Sequence, residues 1–395
     1  MLVGKTQIKK TFSGIFFIAM TALCLSSCTV GDQKKLTHVI TSNDPEQAFK
    51  QYLKNKKTSY QQSPDVMISD IKNLDRTIKN LKSIAEKIWG KNNSQVASNK
   101  KYVKYTDGYQ SKAQVNFDTG TIKIETIATK SPLFHLKDAI ITTLLTSENP
   151  ANTDIFSDRE PIIQGKPYLY GQVLDQDKKA IAYQWRASRF ADYLLNTQLK
   201  KQKIGKHNVH FVEISMVKSH SKLRQHKYAS YVLAAANRYQ IKPELIYAII
   251  ETESSFNPFA VSHANAYGLM QVIPSTAGKD VYQRIFKKSG TPSKQTLFNP
   301  QDNINIGTAY LHILQQQYLN KINNSQSRHY SVISAYNGGA GNVFKTFSST
   351  RSYAPSVINK LSPQQVYQKL TKQHPKSESR RYLYKVVSAE KRYNK

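Results

Sequence analysis

The stretch from Ile241 to Pro258 admits few local structures. Pro243 suits a first helical turn, where its missing N–H costs nothing. Leu245, Ile246, Ile249 and Ile250 then recur at helical spacing and predict one buried face. Continued at about 100° per residue, that helix carries Glu253 between Ile249 and Ile250, on the apolar side, while Glu251 points away. Desolvation disfavours the charged carboxylate, so the pKa of Glu253 should rise. Ser254-Ser255-Phe256-Asn257-Pro258 ends the helix, because the residue before a proline is driven from the α region. A carboxylic acid at the end of a buried helix, facing a loop, suits a general acid near neutral pH. A helix-end glutamate capped by neighbouring donors is the other reading of the same spacing.

Patterning divides the chain. From Ser219 onward nearly all of it reads as helix: Tyr228, Tyr231, Val232, Ala235, Ala236 and Tyr239 share a face, Asn299 caps a helix begun by Pro300, and further helices are expected over 364–370 and 380–392. The first half is mixed. Asp44-Pro45 predicts a helix start, and a helix is predicted from Pro64 to Trp89, with Ile68, Ile71, Leu74, Ile78, Leu81 and Ile84 stepping by three or four. Ala113, Val115 and Phe117 alternate with polar residues, Asp118-Thr119-Gly120 turns the chain, and Ile122 and Ile124 return, a β-hairpin. A helix over 132–146, strands over 168–174 and 181–185, a helix over 189–199 and a last strand over 207–217 complete that half. The fold class expected is α+β, with a mixed domain at 42–217 followed by a mostly helical domain at 218–395.

Two segments precede these. Lys5, Lys9 and Lys10 and then the apolar run Phe12 to Leu25 form an export signal, too short to span a bilayer comfortably. Leu25-Ser26-Ser27-Cys28 resembles a bacterial lipobox, which implies a signal peptide at 1–27 and lipidation of Cys28. Thr29 after it fits sorting to the outer membrane. Residues 28–41 are polar and aperiodic, a tether. Cys24 falls in the discarded part, so the mature chain has one cysteine and no internal disulfide.

The 57 Lys and Arg against 26 Asp and Glu give a formal charge of +31, which favours a polyanionic partner. No phosphate-binding loop, dinucleotide fingerprint or zinc-finger spacing accompanies it, so nucleic acid is not expected. The histidines, His263 among them, lack metal-ligand spacing, and Asp154, Asp158, Asp175 and Asp177 sit singly in turns, read as solvated surface or caps. Met270 by its spacing alone would be core, and Asn337-Gly338-Gly339 alone is a common turn.

Taken together, Glu253-Ser254-Ser255-Phe256-Asn257-Pro258, Ser262, Ala266-Tyr267-Gly268-Leu269-Met270-Gln271 and Pro274-Ser275-Thr276-Ala277 resemble the catalytic domain of the soluble lytic transglycosylases, a goose-lysozyme-like fold. Ala335-Tyr336-Asn337-Gly338-Gly339-Ala340-Gly341 resembles that family's second motif and Glu378-Ser379-Arg380-Arg381-Tyr382-Leu383 its third, with Ser379 where many members have Thr. Gly171-Gln172-Val173-Leu174-Asp175 and the segment 187–195 are similar to the domain that precedes the catalytic domain in one branch of the family. Ala264 and Asn265 depart from the commoner Ser-x-x-Gly-Ala form. The resemblance implies that Glu253 is the catalytic acid, that Ser262, Met270, Gln271, Tyr336, Asn337 and Tyr382 bind the glycan or position the acid, and that no cofactor or metal is needed. It implies peptidoglycan as substrate and a lipid-anchored place on the outer membrane, facing the periplasm.

Ordinary glycosidases use two carboxyl groups. Between Ser254 and Ser377 only Asp280 and Asp302 occur, both with plain structural uses. In the family the substrate's N-acetyl carbonyl assists instead, and the same glutamate then deprotonates the C6 hydroxyl, giving a 1,6-anhydro sugar. A hydrolytic muramidase and a non-catalytic wall-binding lipoprotein are the competing expectations.

Overall fold

Side chains alternating at period two build one antiparallel sheet, and apolar stripes at helical spacing cover it. In the computed structural model, which describes residues 64–262 and 264–394 and side chains from residue 77, the first helix is α1 (Pro64–Trp89). The expected signal, Cys28, the tether and the helix start at Asp44-Pro45 lie outside the described residues. Residues 71–395 form one compact unit. No helix among the described residues is long and apolar enough to cross a membrane.

The sheet contains β1 (Lys101–Thr106), β2 (Ser111–Asn116), β3 (Thr121–Thr126), β4 (Lys200–Ile204) and β5 (His207–Ser215), in the order β1-β2-β3-β5-β4. The predicted hairpin is β2 with β3, in the register Val115↔Ile122 and Ala113↔Ile124. One face carries Val103, Tyr105 and Val209 against Leu81, Ala85 and Trp89 of α1. Ile84, expected on that stripe, is exposed. The other face carries Val115, Phe117, Ile122, Ile124, Val212 and Ile214 against α2 (Pro132–Leu145) and α3 (Gln184–Thr197).

Two expectations fail here. Residues 168–174 and 181–185 form no strands; isolated bridges pair Tyr170 with Val173 and Leu174 with Ala180. The reason is Asp175, which is buried rather than solvated. Its carboxylate accepts from the backbone N–H of Asp177 and Lys179 and pairs with Arg186 at 2.5 Å, rolling the chain into a tight loop. The lysine-rich β1 and β4, not predicted, are the sheet's edges, where lysines discourage pairing with another chain.

The expected boundary at 217/218 falls between β5 and α4 (His220–Lys227), and one continuous apolar core runs across it. Phe259 of the helical half packs on Tyr102 and Tyr168 of the sheet half, with ring centroids 5.0 and 5.3 Å apart. Beyond α4 come α5 (Ala229–Tyr239), α6 (Pro243–Ser254), α7 (Lys279–Arg284), α8 (Lys294–Phe298), α9 (Pro300–Ile313), α10 (Ser325–Gly338), α11 (Ala340–Phe347), α12 (Ala354–Asn359), α13 (Pro363–Gln373) and α14 (Ser377–Tyr393). Helix α6 packs chiefly on α14, which brings the sequence's first and third motifs together.

Candidate active site

Helix α6 starts at Pro243 and buries Leu245, Ile246, Ala248, Ile249 and Ile250, so the face that carries Glu253 is the core face. Glu253 retains partial solvent access. Its pKa is pushed up from 4.5 to about 7, first by burial and then by the negative charge of Glu378; the Tyr382 hydroxyl and the Lys100 ammonium temper the rise. That is a carboxyl group able both to give and to take a proton near neutrality. Glu251 lies on another face, held by Arg392 and by the Tyr393 hydroxyl at 2.6 Å.

The chain after α6 is pinned from several directions. Ser254 donates through its hydroxyl to the carbonyls of Ile250 at 3.0 Å and Leu269 at 2.7 Å. Gly268 has φ +70°, and a Cβ there would lie 2.3 Å from the Leu297 carbonyl oxygen, so only glycine fits. Asn303 of α9, fully buried, donates to the carbonyls of Tyr267 and Leu297 at 2.7 and 2.8 Å and accepts from the Met270 N–H at 2.8 Å. Met270 has no exposed surface and packs against Gly307, so its side chain belongs to the core; its carbonyl accepts from the Tyr336 hydroxyl at 2.8 Å. Gln271 adopts φ +48°, and its amide folds back onto the Gly268 carbonyl at 3.0 Å. Ser262 accepts from the N–H groups of Ala264 and Ala266, each at 3.2 Å, closing the loop that precedes Gly268.

The second and third motifs meet through Asn337, whose side-chain oxygen accepts from the Ser379 hydroxyl at 2.6 Å. Ser379 thus links the second and third motifs through its hydroxyl. A Cβ on Gly338 would lie 2.7 Å from both His374 and Ser379, so glycine lets α10 and α14 close together there. The hydroxyls of Tyr336 and Tyr382 both lie within electrostatic reach of Glu253, and burial first, then that carboxyl group, raises both phenol pKa values well above 10. Both therefore remain hydrogen-bond donors at any working pH. The buried Tyr382 hydroxyl is the group that hydrogen bonding couples to the Glu253 carboxyl, favouring its charged form.

Sequence reasoning missed the groups that brace the site from the chain before α5. Buried Arg224 donates to the carbonyls of Ser255 at 3.1 Å and Phe117 at 2.8 Å and to the Gln172 side chain at 2.7 Å. Asp118 accepts from the Ser255 hydroxyl at 2.8 Å and from Lys100 at 3.0 Å. Asn257 donates to the Asn99 carbonyl at 3.1 Å. Asn303 was missed too; a polar residue inside an apolar helical stripe was its only signal. An open cavity of about 350 Å³ is lined by Gly338, Gly339, Asn342, Lys345 and Arg351. No group of three His, Cys, Asp or Glu side chains able to hold a metal occurs among the described residues.

Comparison with known proteins follows this division of the chain. The family model for the N-terminal domain of membrane-bound lytic murein transglycosylase C matches residues 67–227, and that for the transglycosylase SLT domain matches residues 230–359. The membrane-bound lytic murein transglycosylase C of Yersinia pestis (strain Pestoides F) is 51% identical over 311 residues, covering 78% of this chain and 87% of its own. That of Yersinia pseudotuberculosis serotype O:1b (strain IP 31758) matches to the same extent, 51% over 311 residues. Among solved structures, the 70 kDa soluble lytic transglycosylase SLT70 of Escherichia coli is 29% identical, with a TM-score of 0.34, over 42% of this chain and 24% of that one. The lytic transglycosylase Slt of Pseudomonas aeruginosa is 28% identical over the same shares, with a TM-score of 0.32. Both halves of the sequence, and the motifs that surround Glu253, place this chain in the membrane-bound lytic murein transglycosylase C family.

Proposed function

We propose that the protein cleaves the β-1,4 bond between N-acetylmuramic acid and N-acetylglucosamine in peptidoglycan, with Glu253 as acid and then base. The observation that carries this reading is one carboxyl group, held protonated up to about pH 7, beside two tyrosine hydroxyls. In the first step Glu253 gives its proton to the glycosidic oxygen as the C1–O bond breaks, and the N-acetyl carbonyl of the muramic sugar supports C1. In the second, the carboxylate removes the C6 hydroxyl proton and that oxygen bonds C1, so the product is a 1,6-anhydro sugar and water is not consumed. Glu253 ends protonated, ready for another turn.

Tyr382 is suited to hold the carboxyl group in both charge states, and Asn337 and the Gln271 loop to position glycan. Ser262 and Met270 shape that loop, Met270 through its carbonyl. No cofactor enters. The other carboxylate that Glu253 senses is Glu378, exposed in the first turn of α14. Were Glu378 to activate a water, the product would carry a reducing end instead. Mass spectrometry of digested peptidoglycan decides: anhydro products support this reading, and reducing-end products that vanish in E378Q overturn it.

We further propose that the chain acts from the periplasmic face of the outer membrane, through lipid on Cys28. The leader sequence and the relatives' membrane-bound designation support this. The variant C28A should move to the soluble fraction with its activity unchanged; retention in the membrane pellet at high salt would overturn the anchoring.

A further inference from the structure

Lys100 stands just ahead of β1, in the sheet half, yet its ammonium acts electrostatically on Glu253. It is held where it is. Its Nζ lies 3.0 Å from an Asp118 carboxylate oxygen, and the same oxygen accepts from the Ser255 hydroxyl at 2.8 Å. The neighbouring Asn99 carbonyl is bonded by Asn257, and Phe117 beside Asp118 is bonded by Arg224, which also holds Ser255. So the loop bearing Lys100, the turn bearing Asp118 and the end of α6 are joined by hydrogen bonds that cross from one half of the chain to the other. An ion pair this exposed adds little to stability. What the arrangement does fix is the place of a positive charge.

We propose that the N-terminal half completes the active site, with Lys100, steadied by Asp118, as a positioning residue that holds a positive charge near the end of α6 and stabilises the carboxylate that Glu253 becomes when it gives up its proton in the first step. This rests on the role given to Glu253 above. The charged and titratable groups that face Glu253 are Tyr336 from α10, Tyr382 and Glu378 from α14, and Lys100; those that face Asp118 are Lys100, Arg224 and Lys385. Lys100 is thus the cation among the groups acting on the acid, and it opposes Glu378. Burial alone makes the carboxylate left by the first step costly. A cation tied to the end of α6 lowers the cost of that carboxylate without taking part in any bond change.

The test uses the full chain with three variants, K100M, K100R and K100E. The Glu253 carboxyl titration is followed by carbon NMR, assigned by its loss in E253Q, and the pH profile of turnover is measured on a short soluble glycan. K100M should raise the Glu253 titration and carry the alkaline limb of activity with it. K100E should move both further, K100R should leave both in place, and kcat should fall in K100M with KM little changed. A titration in K100M and K100E that coincides with that of the parent overturns the proposal. The titration needs no turnover, so it is read apart from the role of Glu253, which full activity in E253Q would overturn instead.

Discussion

Arg224 donates to the carbonyl of Ser255 at 3.1 Å, and Ser255 follows Glu253 by two residues. The same guanidinium reaches Phe117 and Gln172 in the sheet half, and burial lowers its pKa to about 10 without discharging it. In R224M the two carbonyls and the Gln172 oxygen lose their donor, which should cost about 3 kcal/mol. R224K, with a single ammonium in place of the planar fork, should recover only part. Thermal unfolding of both variants against the parent checks this; equal midpoints would show that the halves are held by apolar packing alone.

The raised pKa of Glu253 has a sign that stability reports. Below about pH 4.5 folded and unfolded chains both carry the proton, and the group contributes no difference. Between 4.5 and about 7 the unfolded chain loses its proton while the folded one keeps it, so stability falls as pH rises. The loss reaches up to about 3 kcal/mol above pH 7, less whatever the partial solvent access of the group screens. E253Q should therefore match the parent at pH 4 and be the more stable protein at pH 8. A stability gap that stays flat across this range would mean that the carboxyl group titrates normally.

Activity should separate the two glutamates of α6. E253Q removes the proton donor, and general acid–base catalysis is worth about a hundred- to ten-thousand-fold; with one group serving both steps the loss should sit at the upper end. E251Q weakens the hold of Arg392 and Tyr393 on α6, costing about 1 kcal/mol at most while leaving turnover near that of the parent. Kinetics on a soluble glycan distinguish them, and equal losses would contradict the helical-face assignment.

Asn303 should matter more than its place in a distant helix suggests. Both of its side-chain polar atoms are committed to the Tyr267–Met270 turn and to Leu297. N303A leaves two carbonyls and one N–H unpaired in the core, for about 3 kcal/mol. N303D turns a carboxylate toward two carbonyls and should be worse still. Circular dichroism melting ranks the variants; N303D equal to the parent would mean that the turn holds without this side chain.

Much of this was legible because periodicity reports which face of an element is buried. The position of Glu253 between Ile249 and Ile250, the hairpin from Ala113 to Ile124 and the span of α1 all follow from it. What stayed hidden depends on contacts between distant residues. The hydrogen bonds of Asn303 reach 33 and 36 residues back, and that of Ser255 to Asp118 spans 137; no local pattern carries such information. Leu133 shows the converse failure. It stands at helical spacing with Leu136 and Ile140 yet is 44% exposed, so spacing alone overstates the buried face. Met270 shows that a motif can be read correctly and its side chain misplaced: the residue sits at the site through its carbonyl, with its thioether in the core.

Ser255 and Phe256 both take left-handed backbone angles, φ 49° and 61°, though neither is glycine. Each such residue costs about 1–2 kcal/mol relative to the right-handed form, and the groups that offset this at Ser255, Arg224 and Asp118, lie outside the motif-bearing helical half that follows α5. A helical half transplanted without those partners would carry all three motifs and still be released to unwind at the last turn before the loop. In this chain the segment that carries the three motifs and the residues that brace its acid lie on opposite sides of α5, so an exchange with a relative should move them together.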